Sequence, residues 1–173
     1  MSVEALLTNF SKDMTGEEIQ ALVLQAKGAS VSTPTTTTTT PGARSVAYDA
    51  FQAPILPSTN GFDFHIYHMQ NIASEAKFAR ELHEKIIKEF PELRTYPLWE
   101  KPMGSHPTAM FEVDTFTPHQ TGALFSWLVV NRGPCSVLVH PNTGNPLRDH
   151  TELATWIGKQ WPLDTEILKS ISA

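Results

Sequence analysis

The chain has 173 residues, enough for one domain of ordinary size. Thirteen Lys and Arg residues against eighteen Asp and Glu residues give a formal net charge of −5, which excludes the basic footprint of a nucleic-acid-binding protein. No apolar run is long enough to span a bilayer, the first residues lack the apolar core of a secretory signal, and the single cysteine excludes an internal disulfide. We therefore expect a cytoplasmic protein that does not bind membranes.

The first sixty residues differ in composition from the rest of the chain. Thr15 and Glu18 form a capping-box pair ahead of apolar residues at helical spacing, which predicts a short amphipathic helix, either loosely attached or docked on a partner. The threonine run at residues 35–40, between two prolines, predicts a disordered linker. Residues 1–60 are therefore expected to be an N-terminal extension, and residues 61–173 a single domain.

From residue 61 onward the pattern alternates between strands and helices. Strands are predicted over residues 62–67, 93–99, 109–116 and 136–140. Helices are predicted over residues 74–90, with Ser74 as cap, over residues 118–131, and from residue 149 or 151 to 158. The order β-α-β-β-α-β predicts an α+β, ferredoxin-like sandwich, with strand order 4-1-3-2 and both long helices on one face of an antiparallel sheet.

The first predicted strand divides by parity. Phe64 and Ile66 are expected to face the helices, which leaves Asp63, His65 and Tyr67 on the open face of the sheet. A histidine between an acid and a phenol is unusual there, although a hydrogen-bonded surface histidine is the plain alternative.

Three further histidines lie at boundaries between predicted elements. His106 precedes the third strand in the sequence GSHP, His140 ends the fourth strand in VHP, and His150 lies at a helix start in DHT. In the predicted strand order His65 is central, and the strands next to His106 and His140 are its neighbours. Neutral imidazole is the commonest metal ligand, so the pattern favours a metal site, although His140 is expected near the opposite strand end from His106.

The runs GFDFHIYH, GSHPTAMFEVDT, WLVVNRG and SVLVHPNTGNPLRDHTELATWIG resemble, in this order, the DOPA 4,5-dioxygenase family. The resemblance covers about residues 61–168 and excludes the Thr-rich segment. It implies a small ferredoxin-like enzyme that cleaves catechol rings in the extradiol position with non-haem Fe(II) and O₂. The recurring histidines of the family match His65, His106, His140 and His150 here.

The resemblance suggests roles for these histidines. We expect His65, His106 and His140 to bind Fe(II) and His150 to act as the general acid and base, with the roles of His140 and His150 exchangeable. Zn(II) is expected to compete for the site in isolated protein, because it stands above Fe(II) in the affinity order. In some members a second histidine occupies the place of Asp63, so this residue is a carboxylate ligand, a partner of His65, or neither.

Further residues are candidates for supporting roles. Glu112, like Asp63, is expected to face solvent or to support a ligand rather than bind the metal. Arg132 and Asn131, in the matching segment NRG, and Tyr67 are expected to contact a DOPA-like substrate, whose carboxylate fits a guanidinium fork. Capping of the preceding helix is the alternative for Arg132.

The sequence also indicates structural roles for the cysteine and for three of the tryptophans. Cys135 is expected to be a buried small hydrophobe rather than a nucleophile. Trp127 and Trp156 are expected in the core, and Trp99 could line a pocket.

The competing class of protein is a non-catalytic ferredoxin-like module that binds a metal or dimerises through its open sheet face. That face makes a homodimer the default expectation. A metal-dependent enzyme of another type, such as an isomerase, is a third possibility.

Overall fold

A computed structural model describes residues 44–172, and these residues form one compact unit. The predicted helix near Thr15 and the threonine run lie outside the described residues. Within them, no helix is long and apolar enough to cross a membrane.

The described part of the chain contains five strands, which form a single antiparallel sheet. They are β1 (Phe62–His68), β2 (Arg94–Thr95), β3 (Ala109–Thr115), β4 (Ser136–Pro141) and β5 (Thr155–Ile157). The strand order is β2-β3-β1-β4-β5, and all neighbouring strands run antiparallel. The α+β class is confirmed, and the first four strands have the predicted order. The outer strand β5 was not predicted.

Within residues 44–172, four α-helices accompany the sheet: α1 (Ala73–Glu89), α2 (Pro118–Asn131), α3 (Pro146–His150) and α4 (Thr165–Ile171). The prediction that Ser74 caps α1 is wrong, because the cap position is Ile72, which makes no side-chain bond. α2 begins as predicted, with the Thr117 hydroxyl accepting a hydrogen bond from the Gln120 amide.

Two predicted elements are different in the structure. The strand predicted over residues 93–99 is regular only at Arg94–Thr95, because Pro97 has no amide hydrogen to donate, although Trp99 pairs again with Met110. The helix predicted to end at residue 158 is α3 followed by β5. Asn145 caps α3 through the Arg148 amide and Pro146 occupies its first turn, which starts the helix earlier than predicted.

The main core lies between the sheet and the two long helices. Alternate residues of the strands meet the apolar sides of α1 and α2 there. The buried members include Phe64, Ile66, Phe111, Val113, Val137 and Val139 from the sheet, and Ala79, Leu82, Ile86, Leu124 and Leu128 from the helices. The predicted parity of β1 is therefore confirmed.

Leu128 is fully buried in this core, whereas Val130 in the same helix is 78% exposed. We expect Leu128→Ala to lower the free energy of unfolding by about 2–5 kcal/mol, because it leaves a cavity. Val130→Ala is the matched control and should cost less than about 0.5 kcal/mol. Urea denaturation of both variants measures the difference, and equal losses would contradict the position of Leu128 in the core.

The opposite face of the sheet is not open. Tyr67, Met110 and Leu138 are buried on it beneath Trp99, Trp156, Trp161 and Leu163. The segments around β5 and before β3 supply this cover. The sheet face that led to the expectation of a homodimer is therefore occupied by the chain itself.

Residues 44–60 contact the rest of the unit. The ring of Phe51 lies 5.5 Å from the ring of Phe62, and the Leu56 amide donates to the Asn142 carbonyl at 2.9 Å. The domain boundary at residue 61 stays a prediction. Phe51 and Leu56, which lie before that boundary, contact Phe62 and Asn142.

Candidate functional site

The site is built on the covered face of the sheet, with β1 at its centre. Asp63, His65 and Tyr67 alternate along β1 on this face. The register places Glu112 of β3 opposite His65, and His140 of β4 opposite Asp63. Because directly opposed side chains in a sheet lie close together, this pairing brings residues from three strands into one group.

Four imidazole rings meet here. The Nε2 atoms of His65 and His140 are 2.9 Å apart, and the ring centroids of His140 and His150 are 3.9 Å apart. The ring of His106 lies 4.4 Å from that of His65 and 5.8 Å from that of His150. All four predicted histidines are therefore brought together. His106 and His140 reach the cluster from opposite ends of β1, as the topology required.

Three of these rings present ligand atoms to a common point. One ring nitrogen each of His65, His140 and His150 lies within 4.8 Å of the other two, which is a spacing that suits one metal ion. We call these residues the histidine triad. His106, which was expected in the ligand set, is not part of it.

Backbone carbonyls fix the orientation of two triad rings. His140 Nδ1 lies 3.0 Å from the Pro141 carbonyl oxygen, and His150 Nδ1 lies 2.9 Å from that of Pro146. A carbonyl only accepts hydrogen bonds, so each Nδ1 carries the hydrogen and each Nε2 keeps a free lone pair. This arrangement is typical of metal-binding histidines.

The environment of the third ring, that of His65, is also compatible with a metal ion. His65 Nδ1 lies 3.5 Å from a Glu112 carboxylate oxygen without a hydrogen bond, and His65 Nε2 faces the lone pair of His140 Nε2. Two Nε2 atoms in such close contact need a hydrogen or a cation between them. The donor set and its geometry therefore fit a metal ion held by neutral imidazoles.

Burial keeps the triad uncharged. Desolvation lowers the pKa of His65 well below its usual value, and the neighbouring imidazoles lower it further. Burial also lowers the pKa values of His140 and His150 to about 4, although the carbonyls of Pro141 and Pro146 oppose the shift. Neutral imidazole, the form that binds metals, therefore predominates at neutral pH.

His106 has a different partner. Its Nδ1 lies 2.7 Å from the Tyr67 hydroxyl, and the turn from Met103 to His106, with Gly104 at φ +56°, holds the ring over His65. Burial lowers the pKa of His106 to about 4 and raises the pKa of Tyr67 far above its usual value, so both groups are neutral at neutral pH. This pair can accept or return a proton beside the triad.

Carboxylates adjoin the triad on the same face. Asp63 accepts hydrogen bonds from the side chains of Asn60 and Asn142, and its other oxygen lies 3.8 Å from His140 Nε2. Burial, and then repulsion by other acids, raises the pKa of Asp63 to about 7 and that of Glu112 to about 8. Neither carboxyl group is in open solvent, and of the two roles expected for them their contacts with His65 and His140 favour support of a ligand.

A small pocket opens beside the triad. Its volume is about 220 Å³, and it is lined by His150, Thr151, Trp156, Gln160, Trp161, Pro162, Leu163 and Thr165. This volume is below the range of pockets for drug-sized ligands, which favours a single-ring molecule. Trp156 also stacks on Tyr67, with centroids 5.6 Å apart, so the pocket adjoins the Tyr67–His106 pair.

Arg132 and Asn131 are not brought to this group. The Arg132 guanidinium donates to the carbonyls of Gly133 and Cys135, at the start of β4 rather than at its His140 end. Asn131 donates to the Trp127 carbonyl and accepts from Lys85, on the side of the helices. Their hydrogen bonds favour a role at the end of α2, which was the alternative considered for Arg132.

The tryptophans divide between core and pocket. Trp127 packs on the main core and Trp99 on the covered face, whereas Trp156 lines the pocket. Sequence reasoning missed Trp161. Trp156, expected in the core, packs on the second apolar cluster of Tyr67, Met110 and Leu138 and not on the main core. The alternation Thr155-Trp156-Ile157 covers only three residues, which is too short to identify a strand that turns Trp156 away from the main core.

Cys135 is buried, and burial raises the pKa of its thiol to about 12. Because the thiolate is the reactive form, we expect less than about 1% alkylation of the native protein by iodoacetamide at pH 7.5 under conditions that fully alkylate it in urea. Mass spectrometry measures the modification. Rapid alkylation of the native chain would restore the nucleophile interpretation.

Fold and site together define a small α+β protein with a buried three-histidine group that could hold a metal ion. Comparison with known proteins identifies the family of the chain. The model of the Dopa 4,5-dioxygenase family matches residues 62–167, and the chain belongs to this family.

Relatives agree with this assignment. A DOPA 4,5-dioxygenase of Amanita muscaria is 39% identical over 107 residues, which are 58% of this chain and 46% of that protein. A 21.2 kDa protein of Botryotinia fuckeliana is 54% identical over 138 residues, 75% of each chain. The crystal structure of a "putative dioxygenase" from Nostoc punctiforme superposes with a TM-score of 0.60 at 32% identity, over 69% of this chain and 96% of that one. The family resemblance seen in the sequence is therefore confirmed, and these similarities support an oxygenase.

Proposed function

We propose that the protein cleaves the ring of a catechol in the extradiol position, with O₂ and an Fe(II) ion held by His65, His140 and His150. The observation that carries this proposal is the histidine triad, whose three ring nitrogens lie within 4.8 Å of one another in a dioxygenase-family chain. The relative from Amanita muscaria is a DOPA 4,5-dioxygenase, which supports a DOPA-like catechol as the substrate.

Fe(II) suits this donor set, because imidazole ligands bind iron and three of them leave coordination positions open. When bound, the ion would supply the Lewis acidity and the redox chemistry that ring cleavage by O₂ requires. Zn(II) fits the same ligands and binds more tightly, so isolated protein is expected to contain some Zn(II).

The chain's own residues bind and orient the ring. Trp156 and Trp161 offer aromatic faces in the pocket beside His150, against which a catechol ring can stack. Thr151, Gln160 and Thr165 supply polar groups on the same lining. These residues replace Arg132 and Asn131 as the proposed substrate contacts.

His106 holds and moves the proton in this proposal. If its Nδ1–H donates to the Tyr67 oxygen, 2.7 Å away, its Nε2 has a free lone pair. That atom can take a proton from a catechol hydroxyl, and the resulting imidazolium can return the proton later in the reaction. The geometry thus favours an exchange of the roles expected for His106 and His150.

The burial of the site serves the same chemistry. His65 and His140 are at most 4% exposed, and His150 is half-buried at the wall of the pocket. A water-poor site strengthens the interaction between the ligands and a cation and protects reactive intermediates.

The proposal is tested with the metal-free chain, reconstituted anaerobically with Fe(II) and then given O₂ and a panel of catechols that includes L-DOPA. We expect consumption of one O₂ per catechol and a yellow ring-opened product, whose mass and spectrum identify the cleaved bond. The Zn(II)-loaded chain and monophenols are the controls and should be inactive. Absence of ring cleavage with every catechol, in protein shown to contain Fe(II), would refute the proposed function.

A further inference from the structure

The turn between β4 and α3 joins two members of the histidine triad. His140 lies near the end of β4 and His150 is the last residue of α3, and their ring centroids are 3.9 Å apart. α3 has only five residues, and a helix of this length is not stable without tertiary contacts. The position of the His150 ring therefore depends on the contacts that hold this turn.

Asp149 holds the two ends of the turn together. Its Oδ2 accepts a hydrogen bond from the Thr143 amide at 2.9 Å, and its Oδ1 accepts one from the Thr143 hydroxyl at 2.5 Å. Asp149 is 3% exposed, and a buried carboxyl group whose two oxygens both have donors is held in one orientation. Since Asp149 directly precedes His150, these contacts also fix the end of α3 that carries the His150 ring.

The first part of the turn is fixed separately to β1 and the residue before it. The Asn142 side chain donates to Asp63 at 2.9 Å, and the Asn142 amide donates to the Gly61 carbonyl at 3.0 Å. Thr143 follows Asn142 in the chain. Asp149 therefore attaches α3 to a part of the turn whose position the sheet already determines.

The other contacts of α3 do not do this. The bond from His150 Nδ1 to the Pro146 carbonyl lies within α3, so it orients the ring relative to the helix and not relative to β4. The Leu147 amide donates to the Ser172 hydroxyl at 3.0 Å, which ties α3 to the end of α4. Among the described residues, Asp149 belongs to no group of ligand-type atoms that could hold a metal ion.

We propose that Asp149 is a positioning residue of the metal site, which holds the His150 ring beside His140 through its two bonds to Thr143. This rests on the proposed function, because it takes His65, His140 and His150 as the ligands. Asp149 does not contact the metal, so its loss displaces one ligand and leaves the other two in place. Loss of a supporting partner of this kind lowers metal affinity by about 10–100-fold.

The test is Co(II) binding to the full chain stripped of metal with a chelator, because Co(II) accepts imidazole ligands and its absorption spectrum depends on their number and geometry. Asp149→Ala should raise the Kd for Co(II) by about 10–100-fold and give a spectrum like that of His150→Ala. Asp149→Asn should stay within about threefold of the wild type, because its amide can accept from the Thr143 amide and donate to the Thr143 hydroxyl. Equal losses in the two Asp149 variants would overturn the proposal.

A milder variant covers the case in which Asp149→Ala does not fold. Thr143→Val removes one of the two hydrogen bonds and keeps the shape of the side chain, so it should raise the Kd for Co(II) by about 3–10-fold. Wild-type affinity in a folded Thr143→Val, checked by circular dichroism, would overturn positioning through Thr143.

A double-mutant cycle separates positioning from a general loss of structure. The variant that combines Asp149→Ala with His150→Ala should bind Co(II) no more weakly than His150→Ala alone, because Asp149 acts only through His150. Leu128→Ala is the control for reduced stability, since Leu128 lies in the main core, and it should keep the Kd within about threefold of the wild type. Additive losses in the cycle, or equal weakening by Leu128→Ala, would overturn the proposal.

Failure of this proposal and failure of the proposed function give different results. A wild-type chain that does not bind Co(II) would overturn both, because the histidine triad would then hold no metal. A wild-type chain that binds Co(II) with the expected pattern of variants, but cleaves no catechol when loaded with Fe(II), would refute the proposed function and support the role of Asp149.

Discussion

Replacing His140 by alanine is expected to reduce the affinity for Fe(II) or Zn(II) by more than about 100-fold. Loss of a partner outside the ligand set already costs about 10–100-fold in metal affinity, and His140 supplies a ligand atom directly in the proposed site. Its ring is rigidly placed on β4, with Nδ1 held by the Pro141 carbonyl and Nε2 2.9 Å from that of His65. His65→Ala and His150→Ala should behave in the same way.

Metal content after reconstitution and dialysis, measured by mass spectrometry on variants shown to fold by circular dichroism, checks this prediction. His119→Ala is the matched control, because His119 is an exposed histidine on α2 and should leave the metal content unchanged. Full retention of metal by His140→Ala would refute the ligand set. Loss of metal in His106→Ala with retention in His150→Ala would instead support the assignment that the sequence alone suggested.

The placement of His65 could be predicted because a strand has a period of two residues. Apolar Phe64 and Ile66 must face the helices, so His65 and its neighbours at alternate positions face the other way. The position of β1 between β3 and β4 followed from the order of elements. Both inferences depend on local patterns that the chain displays over several residues.

The roles of His106 and His150 could not be predicted in this way. Each lies in a loop or at a helix end, where no periodicity fixes the direction of the side chain. The ring of His150 is turned by a bond to the Pro146 carbonyl, and that of His106 by the Tyr67 hydroxyl. Such contacts depend on the tertiary structure.

The sequence pattern also did not predict that this face of the sheet is covered. β5 has only three residues, too few for an alternation to distinguish it from a loop or a helix end. Trp156 within it and Trp161 after it could, from the sequence, equally belong to the main core. For this reason the face that carries the site was expected to be open.

Replacing His106 by alanine is expected to lower kcat for catechol cleavage by about 10²–10⁴-fold while metal binding is retained. The magnitude is that of a lost general acid or base, and His106 is proposed to exchange the proton of the catechol hydroxyl. Retention of metal is expected because the ring nitrogens within 4.8 Å of one another belong to the other three histidines. Oxygen uptake by iron-loaded protein, with iron content measured on the same samples, separates the two effects.

Tyr67→Phe provides the matched variant, since it removes one hydroxyl and keeps the buried ring. It should lower kcat by only about 10–100-fold, because the hydroxyl orients His106 through its 2.7 Å contact but does not itself take the proton. The pKa of His106 should stay near 4, because burial and then repulsion by His150 cause its shift, so the pH profile should change little. Undiminished turnover in iron-loaded His106→Ala would exclude His106 as the base and leave a triad residue or a carboxyl group to take the proton.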